Sequence, residues 1–162
     1  MQISANTLPQ SNYPNFPEFK KIDLSKVDAE LISQLQALRR RSGVPMIPSP
    51  ARGAWSRTWG SRGSRHYAID RLSDAGDLFP ERDRLMEVWL YAVQMQEFGG
   101  IGVYFDTKGP DGKLWPMIHL DLRPGRLFWA CHLDDGVRRY EYFPAGRFWE
   151  VITEGLKEVR DE

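Results

Sequence analysis

The sequence is short of cysteine, of net charge and of long apolar runs. Its single thiol, on Cys131, excludes an internal disulfide and a zinc site built from several cysteines. The 22 basic residues balance the 22 acidic ones, so the chain has no overall charge to attract nucleic acid or an anionic membrane. No apolar stretch approaches the length needed to cross a bilayer. We therefore expect neither a nucleic acid nor a membrane as a partner.

The composition is that of one globular domain. Of the 162 residues, 41% are hydrophobic and 12% are aromatic, which is enough to bury a single ordinary core. The first residues, MQISANTLPQSNYPNF, lack a basic run followed by an apolar stretch. No secretory signal peptide is therefore predicted, and we expect the chain to be made in the cytoplasm.

Residues 1–24 are predicted to form an irregular N-terminal arm. Pro9, Pro14 and Pro17 interrupt any helix in this segment. Three aromatic residues are available to anchor the arm, either on its own domain or on a partner: Tyr13, Phe16 and Phe19. The sequence leaves both alternatives open.

Residues 25–162 are predicted to form one α+β domain, with helices flanking a small antiparallel sheet. Capping residues and apolar residues at helical spacing predict three helices: Ser25 or Asp28 to Gly43, Glu81 to Phe98, and Arg147 to Val159. Four segments between turn-forming residues are predicted as strands: Ile101 to Phe105, Met117 to Asp121, Leu127 to Cys131, and Arg138 to Phe143.

Three residues of metal-binding type lie close to turn-forming residues: His66, Asp77 and His119. Zinc accepts imidazole nitrogen and carboxylate oxygen, and a catalytic zinc keeps a fourth position open for water. Two histidines and one aspartate meet that requirement. Residue type alone does not establish a metal site, because a histidine near carboxylates is more often an ordinary packed or surface residue.

Three motifs surround these residues: Ser64-Arg65-His66, Ala75-Gly76-Asp77-Leu78-Phe79, and Ile118-His119-Leu120-Asp121. Their order resembles peptidase family M15, the D-Ala-D-Ala carboxypeptidases and murein endopeptidases that share a fold with hedgehog domains. In that family, Ser-x-His opens a loop that closes on Ala-x-Asp, and a later strand carries His-x-Asp. The resemblance covers about residues 25 to 132 and includes the segment 99–104. It implies a hedgehog/DD-peptidase-like fold and one zinc ion held by His66, Asp77 and His119.

The same resemblance implies two substrate-binding residues, Arg52 and Ser64. The segment Ser49-Pro50-Ala51-Arg52 lies where the family carries a Ser-Gly-Tyr-Arg-like segment whose arginine contacts the substrate. A guanidinium group can hold a carboxylate through two hydrogen bonds, which suits recognition of an acidic peptide.

The spacing between His66 and Asp77 departs from the family pattern, since it is four residues longer than usual. An insertion within residues 67–72 accounts for the difference. It also makes Asp70 and Asp74 rival ligands if the loop folds differently. We favour Asp77 because it alone has the Ala-x-Asp-apolar-aromatic setting.

The position of the usual general base departs from the pattern as well. The best-known carboxypeptidases of the family carry an acidic residue three positions before the second histidine, where this chain has Pro116. Asp121 lies two residues beyond His119, so both side chains point to one face of a regular strand. Asp121 is therefore the candidate catalytic residue, acting either as a base toward a zinc-bound water or as a hydrogen-bond partner of a ligand.

The function that the resemblance implies is zinc-dependent hydrolysis of peptide bonds in peptidoglycan stem or cross-link peptides. Residues 49–80 resemble related proteins of phage and prophage genomes, so we expect a phage origin and action at the cell wall, after lysis or as part of a virion. The alternative is an inactive structural or binding module of a phage tail or baseplate, with the arm contacting phage structural proteins. The loss of an acidic residue at Pro116 favours that alternative.

Overall fold

A six-stranded sheet lies at the centre of the computed structural model, which describes residues 16–160. The strands within that range are β1 (Met46–Pro48), β2 (Ala75–Pro80), β3 (Gly100–Tyr104), β4 (Met117–Asp121), β5 (Leu127–Asp134) and β6 (Val137–Phe143). The α-helices are α1 (Ala29–Ser42), α2 (Leu85–Gln94) and α3 (Phe148–Arg160). The predicted α+β class is confirmed.

The sheet is mixed, so the prediction of an antiparallel sheet is wrong for one strand pair. The strand order is β1-β2-β4-β3-β5-β6, and β3 and β5 run parallel. After β4 the chain passes the start of β3 and continues into β5, which lies on the side of β3 away from β4. At the crossing, the Gly99 N–H donates to the Asp121 carbonyl oxygen, and the Gly99 carbonyl accepts from Leu127. A Cβ atom at Gly99 would overlap the carbonyl oxygens of Arg123 and Gly125.

Helix α1 begins and ends where the capping residues predict. The Asp28 side chain accepts a hydrogen bond from the Glu30 N–H at the N-terminus. Gly43 ends the helix in the left-handed conformation, with a φ of 67°, which glycine adopts at little cost. Residues at helical spacing on one face are buried in the core: Leu31, Ile32, Leu35 and Leu38.

Helix α2 is shorter than the sequence predicts at both ends. Asp83 has a φ of 64°, which no α-helix accommodates, so the helix begins at Leu85 rather than near Glu81. At the other end Met95 is extended, so the predicted continuation to Phe98 is wrong. The final helix agrees with the prediction within one residue at each end.

The two faces of the sheet have different roles. One face contributes Leu78, Ile118, Leu120, Ile101 and Val103 to the core that the helices cover. Because successive side chains of a strand alternate between faces, Asp77, His119, Gly102 and Trp129 share the opposite face. The sheet therefore separates the packed core from a row of polar and aromatic residues.

The predicted N-terminal arm lies partly outside the described residues, since residues 1–15 and Tyr13 among them fall there. Its described part contacts the domain. Residues Pro17–Lys21 form a short 3-10 helix, and Phe19 is buried in the core with 1% of its surface exposed. None of the helices within residues 16–160 is long and apolar enough to cross a bilayer.

Replacing Gly99 by alanine is expected to destabilise the domain, because the added methyl group meets backbone atoms that cannot rotate away. Overpacking of this kind costs about 1–3 kcal/mol and occasionally more, and we expect the upper part of that range. Urea denaturation of Gly99→Ala and wild type measures the difference. Gly146→Ala is the control, since a Cβ there meets nothing within 4 Å. Equal stability of Gly99→Ala and wild type would contradict the close backbone contacts at this crossing.

Candidate metal centre

Three side chains bring ligand atoms together on the face of the sheet that the helices leave open. Asp77 on β2 and His119 on β4 are direct partners across the strands, and His66 reaches them from the loop between β1 and β2. The Asp77 Oδ1 atom lies 2.9 Å from the Nδ1 atom of His119 and 3.4 Å from the Nε2 atom of His66. The two imidazole nitrogens are 3.2 Å apart. The structure therefore unites the three predicted ligands in one group that is able to hold a metal ion.

The loop that carries His66 is held in place by backbone hydrogen bonds. The Arg57 N–H donates to the His66 carbonyl oxygen at 2.8 Å, and the Tyr67 N–H donates to the Ser64 carbonyl oxygen at 3.0 Å. The Ser64 hydroxyl oxygen also accepts from the His66 N–H at 3.3 Å. The Nδ1 atom of His66 is buried and has no hydrogen-bond partner among the described residues. The loop backbone thus places the His66 ring, and its Nε2 atom makes the contacts with Asp77 and His119.

The rival ligands Asp70 and Asp74 lie outside the group. The Asp74 carboxylate forms a two-point ion pair with the Arg65 guanidinium. Asp70 is exposed on the loop. Among the described residues the metal-binding group consists of His66, Asp77 and His119.

Asp121 lies behind His119 and is fully buried. The Nε2 atom of His119 is 2.9 Å from the Asp121 carboxylate, which also accepts hydrogen bonds from the backbone and side chain of Arg123. Burial by itself raises the pKa of Asp121, but the hydrogen bonds from His119 and Arg123 outweigh it and hold the pKa well below its ordinary range. A Cβ atom at Gly100 would overlap this carboxylate.

The ring of His119 lies between two carboxylates, which controls its protonation in the metal-free chain. Burial lowers the pKa of His119, but hydrogen bonds to Asp121 and Asp77 outweigh this effect and raise it to about 9. Burial likewise raises the pKa of Asp77, and its hydrogen bonds with His119 and His66 lower it well below the ordinary range. A positive ring between two negative carboxylates indicates a pocket suited to a cation.

The donor set matches a borderline divalent metal. Two imidazole nitrogens and one carboxylate oxygen suit zinc and related first-row ions, while calcium and magnesium prefer oxygen donors alone. A tetrahedral ion with the bond lengths of zinc holds neighbouring donors about 3.3 Å apart. The observed separations of 2.9, 3.2 and 3.4 Å fit that arrangement.

The group forms part of the lining of an open cleft of about 730 Å³. Both predicted substrate-binding residues, Arg52 and Ser64, line this cleft. The exposed Arg52 guanidinium lies 4.4 Å from the centroid of the Trp59 ring, and the Ser64 hydroxyl oxygen accepts a hydrogen bond from Arg57 at 2.8 Å. Pro116 is not among the residues that line the cleft.

The cleft carries an excess of positive charge. Three of its cations are balanced by acidic partners, in the pairs Arg65–Asp74, Arg123–Asp121 and Arg138–Asp106. The other cations of the lining form no ion pair with a described carboxylate: Arg52, Arg57 and Lys108. The cleft therefore favours an anionic ligand.

Arg123 and Tyr104 were not predicted as site residues, although both lie at the site. Arg123 holds Asp121, and Tyr104 lines the cleft beside Trp129. Asp121 and Arg123 are two residues apart in the sequence, and this short spacing could have indicated their ion pair. No sequence pattern indicates the contact between Tyr104 and Trp129, because it depends on the parallel pairing of β3 with β5.

Replacing Asp121 by asparagine is expected to weaken metal binding. The change keeps the shape of the side chain but removes the charge that orients His119, and loss of such a partner typically costs about 10- to 100-fold in metal affinity. Isothermal titration of the metal-free protein with zinc measures the effect, and circular dichroism checks the fold. Asp111→Asn is the matched control, because Asp111 also pairs with an arginine but is exposed and outside the group. Unchanged affinity in Asp121→Asn would show that His119 needs no such support.

Metal binding is expected to release a proton. With a pKa of about 9, His119 carries a proton on Nδ1 at pH 7, and that proton must leave before Nδ1 can bind a metal. We expect release of about one proton per chain at pH 7 and an apparent affinity that rises as the pH increases towards 9. Titrations at one pH in buffers with different ionisation enthalpies count the protons. A binding enthalpy that does not depend on the buffer would refute this expectation.

Comparison with known proteins returns no match for this chain among family models, curated proteins or solved structures. The resemblance to the D-Ala-D-Ala carboxypeptidase family stays a prediction from motifs.

Proposed function

We propose that this chain is a zinc-dependent peptidase that hydrolyses peptide bonds in the stem or cross-link peptides of peptidoglycan. One observation carries the proposal: the group of His66, Asp77 and His119 lines an open cleft rather than a closed core. A metal enclosed by protein on all sides serves structure, whereas a metal at the surface of a cleft is accessible to a substrate. The motif resemblance supplies the substrate class.

Zinc is the ion that we propose for the group. Three protein donors leave one position of a tetrahedral ion for water or substrate. When bound, zinc polarises a peptide carbonyl and lowers the pKa of water at the site. His66, Asp77 and His119 would hold the ion at the edge of the cleft.

Asp121 and Arg123 orient His119 in this proposal. Since Nε2 of His119 bonds to Asp121, the opposite nitrogen, Nδ1, faces Asp77 and His66. Arg123 keeps Asp121 charged and in position. We assign Asp121 this orienting role rather than proton transfer, because its carboxylate is fully buried behind the ring.

Arg52 and Ser64 bind the acidic part of the substrate in this proposal. Arg52 is exposed at the cleft and pairs with no described carboxylate, so its guanidinium is free to hold a substrate carboxylate. Ser64 lines the same cleft, where its hydroxyl oxygen accepts hydrogen bonds from the backbone N–H of His66 and from Arg57. The unbalanced positive charge of the cleft supports an acidic peptide as the ligand.

An inactive binding module is the second candidate, and one observation favours it. The acidic residues that line the cleft are Asp77, which belongs to the metal group, and Asp106, which is paired with Arg138. With proline at position 116, the usual acidic residue is missing from the described chain. A phage tail or baseplate component that binds peptidoglycan without cutting it accounts for the same cleft. The resemblance of residues 49–80 to phage proteins supports a phage setting for either candidate.

Metal analysis combined with peptidoglycan digestion tests the proposal. Purified wild type is expected to hold about one zinc ion per chain and to release peptide fragments from peptidoglycan. His119→Ala and the isosteric Asp77→Asn are expected to lose both the metal and the cleavage. His132→Ala is the matched control, since His132 lies on β5 against Phe105 and is not part of the metal group.

Each outcome separates the candidates. Zinc together with cleavage, both lost in the two ligand variants and kept in His132→Ala, supports the peptidase. Zinc with binding to peptidoglycan but without cleavage supports the module and rejects the peptidase. Absence of metal from wild type under zinc-replete conditions rejects His66, Asp77 and His119 as zinc ligands and rejects the peptidase with them.

A further inference from the structure

Tyr104 lies two residues beyond Gly102 on β3, so its side chain is on the same face of the sheet as the metal group and lines the same cleft. Gly102 pairs with His119 on one side and with Trp129 on the other. Since glycine has no side chain, the indole of Trp129 lies over Gly102, where a Cβ atom would overlap its Nε1 atom. The Tyr104 hydroxyl oxygen is 3.3 Å from that same nitrogen. The hydroxyl therefore contacts Trp129, a residue that is in register with His119 and Asp77 across the sheet.

The proton of this hydroxyl is available to a ligand. An indole N–H is only a donor, so the Tyr104 oxygen acts as the acceptor in its bond with Trp129. Its own O–H must then donate elsewhere, and no described residue accepts it. Tyr104 lines the cleft, so the donor is directed to the volume where a substrate lies.

Aromatic and cationic neighbours hold the pair in place. The Trp129 ring lies 5.1 Å from the His119 ring, and the Arg123 guanidinium lies 5.2 Å from the Trp129 ring. The Arg138 guanidinium lies 5.6 Å from the Tyr104 ring. Burial raises the pKa of Tyr104 above its ordinary value, and the negative charge of Asp77 adds to this effect. The phenol therefore keeps its proton at neutral pH and acts as a fixed hydrogen-bond donor.

We propose that Tyr104 is a catalytic residue that donates a hydrogen bond to the carbonyl oxygen of the peptide bond being cleaved. The proposal rests on the peptidase function above. When the oxygen of a water molecule bonds to the carbonyl carbon, the electron pair of the C=O bond moves to oxygen, which gains negative charge. That pair returns as the C–N bond breaks, and the proton given up by the water leaves on the released amine. A fixed donor binds that charged oxygen more strongly than the neutral carbonyl, and this difference accelerates the reaction. The phenol proton remains on Tyr104 throughout.

Tyr104→Phe tests the role, because it removes the hydroxyl and keeps the ring. We expect kcat to fall about 100- to 1,000-fold, as for loss of one donor to a developing oxyanion, with KM nearly unchanged. Zinc affinity, measured by titration, is expected to stay at the wild-type value, because Tyr104 is not a ligand. Tyr142→Phe is the control, since Tyr142 pairs with Trp129 across the strands but is 61% exposed. Trp129→Phe, which removes the N–H that holds the hydroxyl, is expected to give a smaller fall in kcat.

A binding measurement provides a readout besides turnover. The probe is a phosphinate analogue of the peptide that wild type cleaves, in which a tetrahedral, charged group replaces the amide. We expect Tyr104→Phe to bind this analogue more weakly by about the same factor as kcat falls, while its affinity for the cleaved product changes little.

The outcomes distinguish this inference from the proposed function. If wild type cleaves peptidoglycan and Tyr104→Phe matches it in kcat and phosphinate affinity, the inference is wrong and the peptidase stands. Loss of zinc or of folding in Tyr104→Phe would overturn it too, since the residue would then be structural. If zinc-loaded wild type cleaves nothing, the proposed function fails and the role of Tyr104 fails with it.

Discussion

The site depends on the buried hydrogen bond between His119 and Asp121. It determines which nitrogen of His119 faces Asp77 and His66, and it requires a charged carboxylate inside the protein. Such a charge is costly to bury unless it is paired. Arg123 supplies the pairing through three nitrogen atoms, one of them on the backbone at the start of the β4–β5 crossing. The residues that orient His119 therefore lie at the point where the chain crosses from β4 to β5.

The two-faced sheet explains how a small domain combines a dry core with a charged cleft. Core residues and site residues alternate along β2, β3 and β4, so each strand contributes to both faces. The helices cover one face, and the loop that carries His66 contributes to the wall of the other. The wall of the cleft thus combines unpaired cations with the three residues that could hold a metal ion.

Local chemistry made part of the fold predictable. The capping residue Asp28 and the terminal Gly43 define α1 in the sequence, and residue type with motif order predicted the group of His66, Asp77 and His119 that the structure brings together. Strand β2, Ala75–Pro80, was not predicted, because its glycine, aspartate and proline disfavour strands and only pairing with β1 and β4 stabilises it. The parallel pair depends on the chain crossing at Gly99, a long-range feature without a local pattern. The burial of Asp121 behind His119 also required three dimensions, and it is this burial that favours an orienting role over that of a base in our proposal.

The glycines of β3 couple positions that are distant in the sequence. Gly100 leaves room for the Asp121 carboxylate, and Gly102 leaves room for the Trp129 indole. A larger residue at either glycine is tolerated only if its partner becomes smaller, so each pair should vary together among homologues rather than one position at a time. The same coupling means that the effects of substitutions at the two members of a pair do not add. Among homologues, covariation is therefore expected between the glycine positions of β3 and the residues that face them on the neighbouring strands.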